Sequence, residues 1–196
     1  MSFFETVKRS YVDVDTSKGI DTEQFLEATE SLVTLFGELN STAFSPVVKD
    51  MTGNITKIRA RYLANPTAND TLENLTATEA PEKKRVATEG LLWLSRGLDF
   101  TEQALRFNLN NPSEELTVSF TTSYEETLSK HHNFVVRRIF SLAMKACPYR
   151  KDFYEKIGVL DDAALAVMEA WLNALKAIIN TIQTIFTEHP EYIKGM

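Results

Sequence analysis

The chain has 196 residues, 43% hydrophobic and 24% charged, enough for one domain with a substantial core and too apolar for a disordered chain. A formal net charge of −6 and a pI near 5.2 argue against general nucleic-acid binding. A single cysteine, Cys147, can form no internal disulfide and suits a reducing compartment.

Residues 1–20 read as an irregular N-terminal arm. Lys8, Arg9 and Lys18 alternate there with acids and no apolar h-region follows, unlike a secretory signal. No apolar run approaches the roughly 20 residues of a bilayer span. Triplets that match glycosylation acceptors, at Asn40, Asn54, Asn69 and Asn74, mean little without such a signal. The expectation is a soluble, cytosolic chain, 1–196, folded as one domain.

A first helix opens near Asp21, with Phe25, Leu26, Leu32, Leu35 and Phe36 on one face. Ser45 reads as the cap of a second helix, with Pro46 at its first position, running to about residue 63 before Asn65-Pro66. A weak helix over about 68–79 and a polar turn at 81–84 precede the strongest pattern, about 85–109. Further helices are predicted over 113–128, 130–146, 149–157 (with Gly158 as its stop) and about 161–188. No strand alternation persists. The reading is all-α, with about eight helices.

Asp50, Asn54, Lys57 and Arg61 recur at helical spacing, placing a carboxylate, an amide and two cations on one face. Periodicity alone favours a solvated stripe with weak ion pairs. Its chemistry also suits a neutral ligand rich in hydroxyls and amides, because Asp accepts, Asn donates and accepts, and Lys donates. Trp93 taken alone is more often a core residue than a ring platform. Metal-ligand, P-loop and nucleophile-elbow patterns are all missing. Neither catalytic residues nor a metal nor a cofactor is expected.

Two segments together, Asp50-x-x-Gly53-Asn54-x-x-Lys57 and Leu92-Trp93-Leu94-x-Arg96-Gly97-Leu98, strongly resemble the glycolipid transfer protein family. Phe25-Leu26-Glu27-Ala28, Phe44-Ser45-Pro46 and Ala146-Cys147-Pro148-Tyr149-Arg150-Lys151-Asp152-Phe153 extend the likeness in the same order. The wording Ala87-Thr88-Glu89-Gly90-Leu91-Leu92-Trp93 is similar to the fungal heterokaryon-incompatibility branch. The resemblance implies a two-layer helical sandwich that carries glycosphingolipids, such as glucosylceramide or galactosylceramide, between membranes.

It also implies roles. Asp50, Asn54 and Lys57 would hold the first sugar and the ceramide amide, and Trp93 would stack beneath the sugar. His132, in Lys130-His131-His132-x-Phe134, would donate to the acyl carbonyl. A sphingoid amide offers both a donor and an acceptor, a glycerolipid ester no donor, so this pair of residues would select sphingolipids. Phe36, Phe44 and Phe140 would line an apolar tunnel, needed because an exposed lipid tail costs about 0.8 kcal/mol per CH₂. Phe134 and Arg138 would dock transiently on the membrane, within a run from Lys130 to Lys151 that holds six cations and no acid.

Two departures stand out. Glu89 replaces an aliphatic residue of animal members, and the family's C-terminal tail is not clearly matched by residues 191–196, where Tyr192 is the one candidate. Competing readings are a glycolipid sensor with identical binding residues, a ceramide-1-phosphate carrier and an enzyme on a helical scaffold. The phosphate carrier would need cations where Asn54 and Trp93 stand.

Overall fold

The computed structural model describes all 196 residues. It contains nine α-helices: α1 (Phe3–Thr6), α2 (Thr22–Asn40), α3 (Ser45–Ala64), α4 (Leu72–Glu79), α5 (Val86–Asn110), α6 (Leu116–Glu126), α7 (Phe134–Lys145), α8 (Arg150–Lys156) and α9 (Asp162–Glu188). Short 3₁₀ turns lie at Tyr11–Asp13, Ser129–His131 and Pro190–Ile193. No strand forms; two isolated β-bridges, one of them Asp21 with Thr71, are the only β pairing.

α5 is the hub. It packs on α3, α4, α6 and α9, while α2 lies against α3 and α7 against α6. Its small and apolar face, including Leu91, Leu94, Leu98, Phe100 and Leu105, is buried throughout, as a central helix requires. Local signals set most helix starts. Asp21 accepts from the Gln24 N–H at 2.8 Å and Asp161 from the Ala164 N–H at 2.8 Å, each satisfying a free helical donor. Gly158 ends α8 at φ 70°, where a Cβ would lie 3.0 Å from the Met1 carbonyl oxygen. The expected stop is therefore required twice, by backbone angle and by space.

Five expectations change. Residues 1–20 are irregular apart from α1 and the first 3₁₀ turn, but those two pieces bind the arm to the core by sending Phe4 and Tyr11 onto Trp171, with ring centroids 5.0 and 5.3 Å apart. The buried Tyr11 hydroxyl donates to Thr29 Oγ1 at 2.9 Å. Ser45 is not a cap. Phe44 occupies that position with no side-chain cap bond, and Asn40 Oδ1 takes the Ala43 N–H at 3.0 Å, turning the α2–α3 corner while Phe44 anchors it in the core.

The helix expected over 130–146 is broken. His132 is extended, and Asn133 caps α7 by accepting from the Val136 N–H at 3.0 Å. The helix expected over 113–128 shortens to Leu116–Glu126. The bilayer-length reading was also too strict, since α9 is long and apolar enough to span a membrane. It serves as a core helix instead, burying Met168, Trp171, Leu172, Leu175, Ile179 and Ile182.

Candidate functional site

Three neighbouring elements build the site: the middle of α3, the N-terminal half of α5 and the break before α7. On α3, Asn54 is 5% exposed while Asp50 and Lys57 face outward. The Asn54 Nδ2 group is buried without a hydrogen-bond partner, an unmet donor of the kind a ligand satisfies. Asp50 is exposed by area, yet its surroundings exclude enough water to push its carboxyl above the usual range; Lys57 opposes that rise. Arg61 stands apart, paired with Glu82 at 2.6 Å.

Gly90 brings α5 up to this stripe. A Cβ there would come within 3.3 Å of the Asn54 carbonyl oxygen and of Lys57 Cβ, so a bare backbone permits the approach. Trp93, three residues on, is half-buried. The Arg96 guanidinium lies 4.7 Å from its ring centroid, a cation–π distance. The His132 ring runs nearly parallel to the indole at 10°, with centroids 6.0 Å apart.

His132 reaches this place because the chain is extended there. Its Nδ1 lies 3.0 Å from the Tyr124 hydroxyl, and its ring centroid lies 4.6 Å from that of Phe140. Burial first, then His131, Arg137 and Arg96, lower its pKa below the usual imidazole value. Tyr124 was missed by sequence reasoning; it lies eight residues upstream across the helix break, a spacing that carries no local signal. Asp50, Asn54 and Lys57 make no hydrogen bond to Trp93 or His132, whose one side-chain partner is Tyr124.

The expected tunnel residues are closed into the core. Phe36, Phe44 and Phe140 are 1%, 0% and 6% exposed, and none lines any of the five principal cavities. They do belong to one aromatic seam. Phe36 meets Phe44 at 5.6 Å and Phe44 meets Phe120 at 6.1 Å. Phe120 leads through Phe100 and Tyr124 to Phe140 and His132, with steps of 5.8, 6.2, 5.3 and 4.6 Å. A cavity of about 780 Å³ near Leu109, Tyr154 and Leu165 lies about 24 Å along α5 from Trp93.

α7 presents a second apolar face outward. Phe134 is 71% exposed and Leu142 68%, with Arg138 5.8 Å from the Phe134 ring. The C-terminal residues are tied to the start of α5. Arg85 donates to the carbonyl oxygens of Glu191, Tyr192 (2.6 Å) and Lys194 (2.8 Å). Glu89 shares a small cavity with Lys194, Gly195 and Met196.

Residues 20–159 match the family model described as "Glycolipid transfer protein (GLTP)". A glycolipid transfer protein of Aureobasidium melanogenum is 56% identical over 92% of this chain and 90% of its own. One from Danio rerio is 34% identical over 93% and 94%. The fold matches the crystal structure of HET-C2, a fungal glycolipid transfer protein, at a TM-score of 0.92 and 47% identity, covering 98% of this chain and 100% of that one. A matched family domain, a relative sharing more than half its residues and a coincident two-layer helical fold agree: the chain belongs to the glycolipid transfer protein family.

Proposed function

We propose that this protein binds one glycosphingolipid and carries it, chemically unchanged, between membranes, touching each membrane surface transiently. The observation that carries the reading is the close approach of α5 to α3 at Gly90, which sets a stripe of carboxylate, amide and ammonium beside a half-buried indole. A sugar needs both: polar partners at its edge and an apolar plane at its C–H face. Glucosylceramide and galactosylceramide carry a neutral, hydroxyl-rich head group of that chemistry.

The amide contacts follow from protonation states. Asp50 as carboxylate accepts from the amide N–H. With the Tyr124 hydroxyl donating to Nδ1, neutral His132 keeps its proton on Nε2, an N–H donor for the acyl carbonyl. The lipid chains would enter by parting the aromatic seam from His132 and Phe140 toward Phe44 and Phe36. Opening a packed core is worthwhile only for a ligand that refills it, because each tail CH₂ returned to shelter regains about 0.8 kcal/mol. Phe134 and Arg138 would make the docking contact.

A vesicle-to-vesicle assay tests this. Fluorescent galactosylceramide and glucosylceramide should move, whereas phosphatidylcholine and ceramide-1-phosphate should not. Trp93→Ala and Asp50→Val should each abolish that movement with helical content intact. Transfer of ceramide-1-phosphate in place of the glycolipids would overturn the head-group assignment. Binding without movement would make the protein a glycolipid sensor.

A further inference from the structure

Beside Trp93, on the side away from the α3 stripe, a cleft of about 370 Å³ is lined by Ser95, Arg96 and Asp99 of α5, by Lys130 and His131 of the 3₁₀ turn, and by Gln183 of α9 among others. Its charges do not cancel. Asp99 is the one acid in the lining, and Lys176 holds it at 3.1 Å. Arg96 is half-buried and makes neither an ion pair nor a side-chain hydrogen bond; its guanidinium simply rests over the indole.

Three bases thus share a small space without a counter-ion, in a protein of net charge −6. The crowding is felt. His131 is held below the usual imidazole value by burial and then by Arg96 and Lys130, and burial lowers Arg96 as well. An uncompensated, partly desolvated guanidinium is costly alone and becomes favourable against an anion. Its forked N–H groups match an oxyanion in two directions, while Ser95 and Gln183 supply neutral partners.

We propose that this cleft binds a tetrahedral oxyanion, a phosphate or sulfate ester, through Arg96, Lys130 and His131. The sugar and amide set on α3 carries Asp50 and suits a neutral ligand, so the two sites divide the indole's surroundings by charge. The proposal stands apart from the carrier reading, because its first test needs no lipid.

Trp93 is itself the reporter, since the second tryptophan, Trp171, is 1% exposed in the core. Inorganic sulfate or phosphate is titrated at constant ionic strength against chloride while tryptophan emission is followed. A saturable change with the oxyanions alone is expected. It should vanish in Arg96→Gln and weaken about tenfold in Lys130→Gln/His131→Gln, as the loss of charge-assisted contacts implies.

Because Arg96→Gln also alters the indole's surroundings, the Lys130→Gln/His131→Gln pair decides. An equal response to chloride, or an unchanged response in that pair, overturns the proposal. Lipid arms then identify the source. A larger loss of transfer for sulfated galactosylceramide than for galactosylceramide in the pair points to a sulfated sugar. Weaker binding to phosphatidate-containing vesicles points to a lipid phosphate. An effect on neither points to the free anion.

Discussion

α9 and α7 are both amphipathic helices, and they use their apolar faces in opposite ways. α9 turns Trp171, Leu172, Leu175, Ile179 and Ile182 into the core. α7 buries only Phe140, Ala143 and Met144 and leaves Phe134, Val135, Ile139 and Leu142 in water. An apolar helix face therefore stabilises the fold in one helix and costs solubility in the other. A contiguous exposed apolar face on a folded domain marks a surface that meets something. Cations flank this one at Arg137, Arg138 and Lys145, which suits an anionic bilayer.

The contrast can be broken hardest at Trp171. It touches Phe4 and Tyr11 across the chain ends, so Trp171→Ala should remove about 3–5 kcal/mol of stability. Denaturant unfolding reads this directly. A loss below about 1 kcal/mol would mean the N-terminal segment contributes nothing to the core. Phe134→Ala should do the reverse. Its stability should stay within about 0.5 kcal/mol of the native chain. Association with anionic vesicles should fall by about tenfold, measured by co-sedimentation, with glycolipid binding in detergent-free solution little changed. Unaltered vesicle association would remove α7 as the docking face.

These two helices also show where sequence suffices and where it stops. α9 was legible from its period and from Asp161 at its start, because both signals are local. α7 was legible as a helix but not in its bounds. The apolar pattern runs on through His132, and only Asn133 taking the Val136 N–H breaks it. That break is what turns His132 toward Tyr124, so the site's geometry depended on a cap outvoting periodicity. The same holds for residues 1–20, whose Phe4 is buried against Trp171, a contact that no local pattern announces. Asp50, Asn54, Lys57 and Trp93 are proposed from the family motif. The service of Gly90 needed α3 in place against it, and Arg96 enters the sequence reading only as a letter of the motif, because its cleft exists only once α5, α9 and the 3₁₀ turn are packed.

Between the buried and the exposed extremes stands Asp50, outward-facing by area yet partly stripped of water. Its folded-state pKa is raised by that desolvation, with Lys57 opposing. A carboxyl raised on folding favours the folded state most below its unfolded value, about pH 4, and that contribution is lost as pH rises through the folded value. Asp50→Asn should therefore gain slightly in stability over the native chain as pH rises toward neutrality, and the gain should fade in acid. Ligand binding should show the opposite demand. If the carboxylate accepts the amide N–H, glycolipid binding weakens on acidification sooner than an ordinary aspartate would dictate. In Asp50→Asn, binding is weaker throughout but loses this component of its pH dependence. Trp93 emission during glycolipid titrations from neutral to acidic pH measures both chains. An identical acid fall in the two would assign the titration to His132, whose pKa burial lowers, and would leave Asp50 without the amide contact proposed for it.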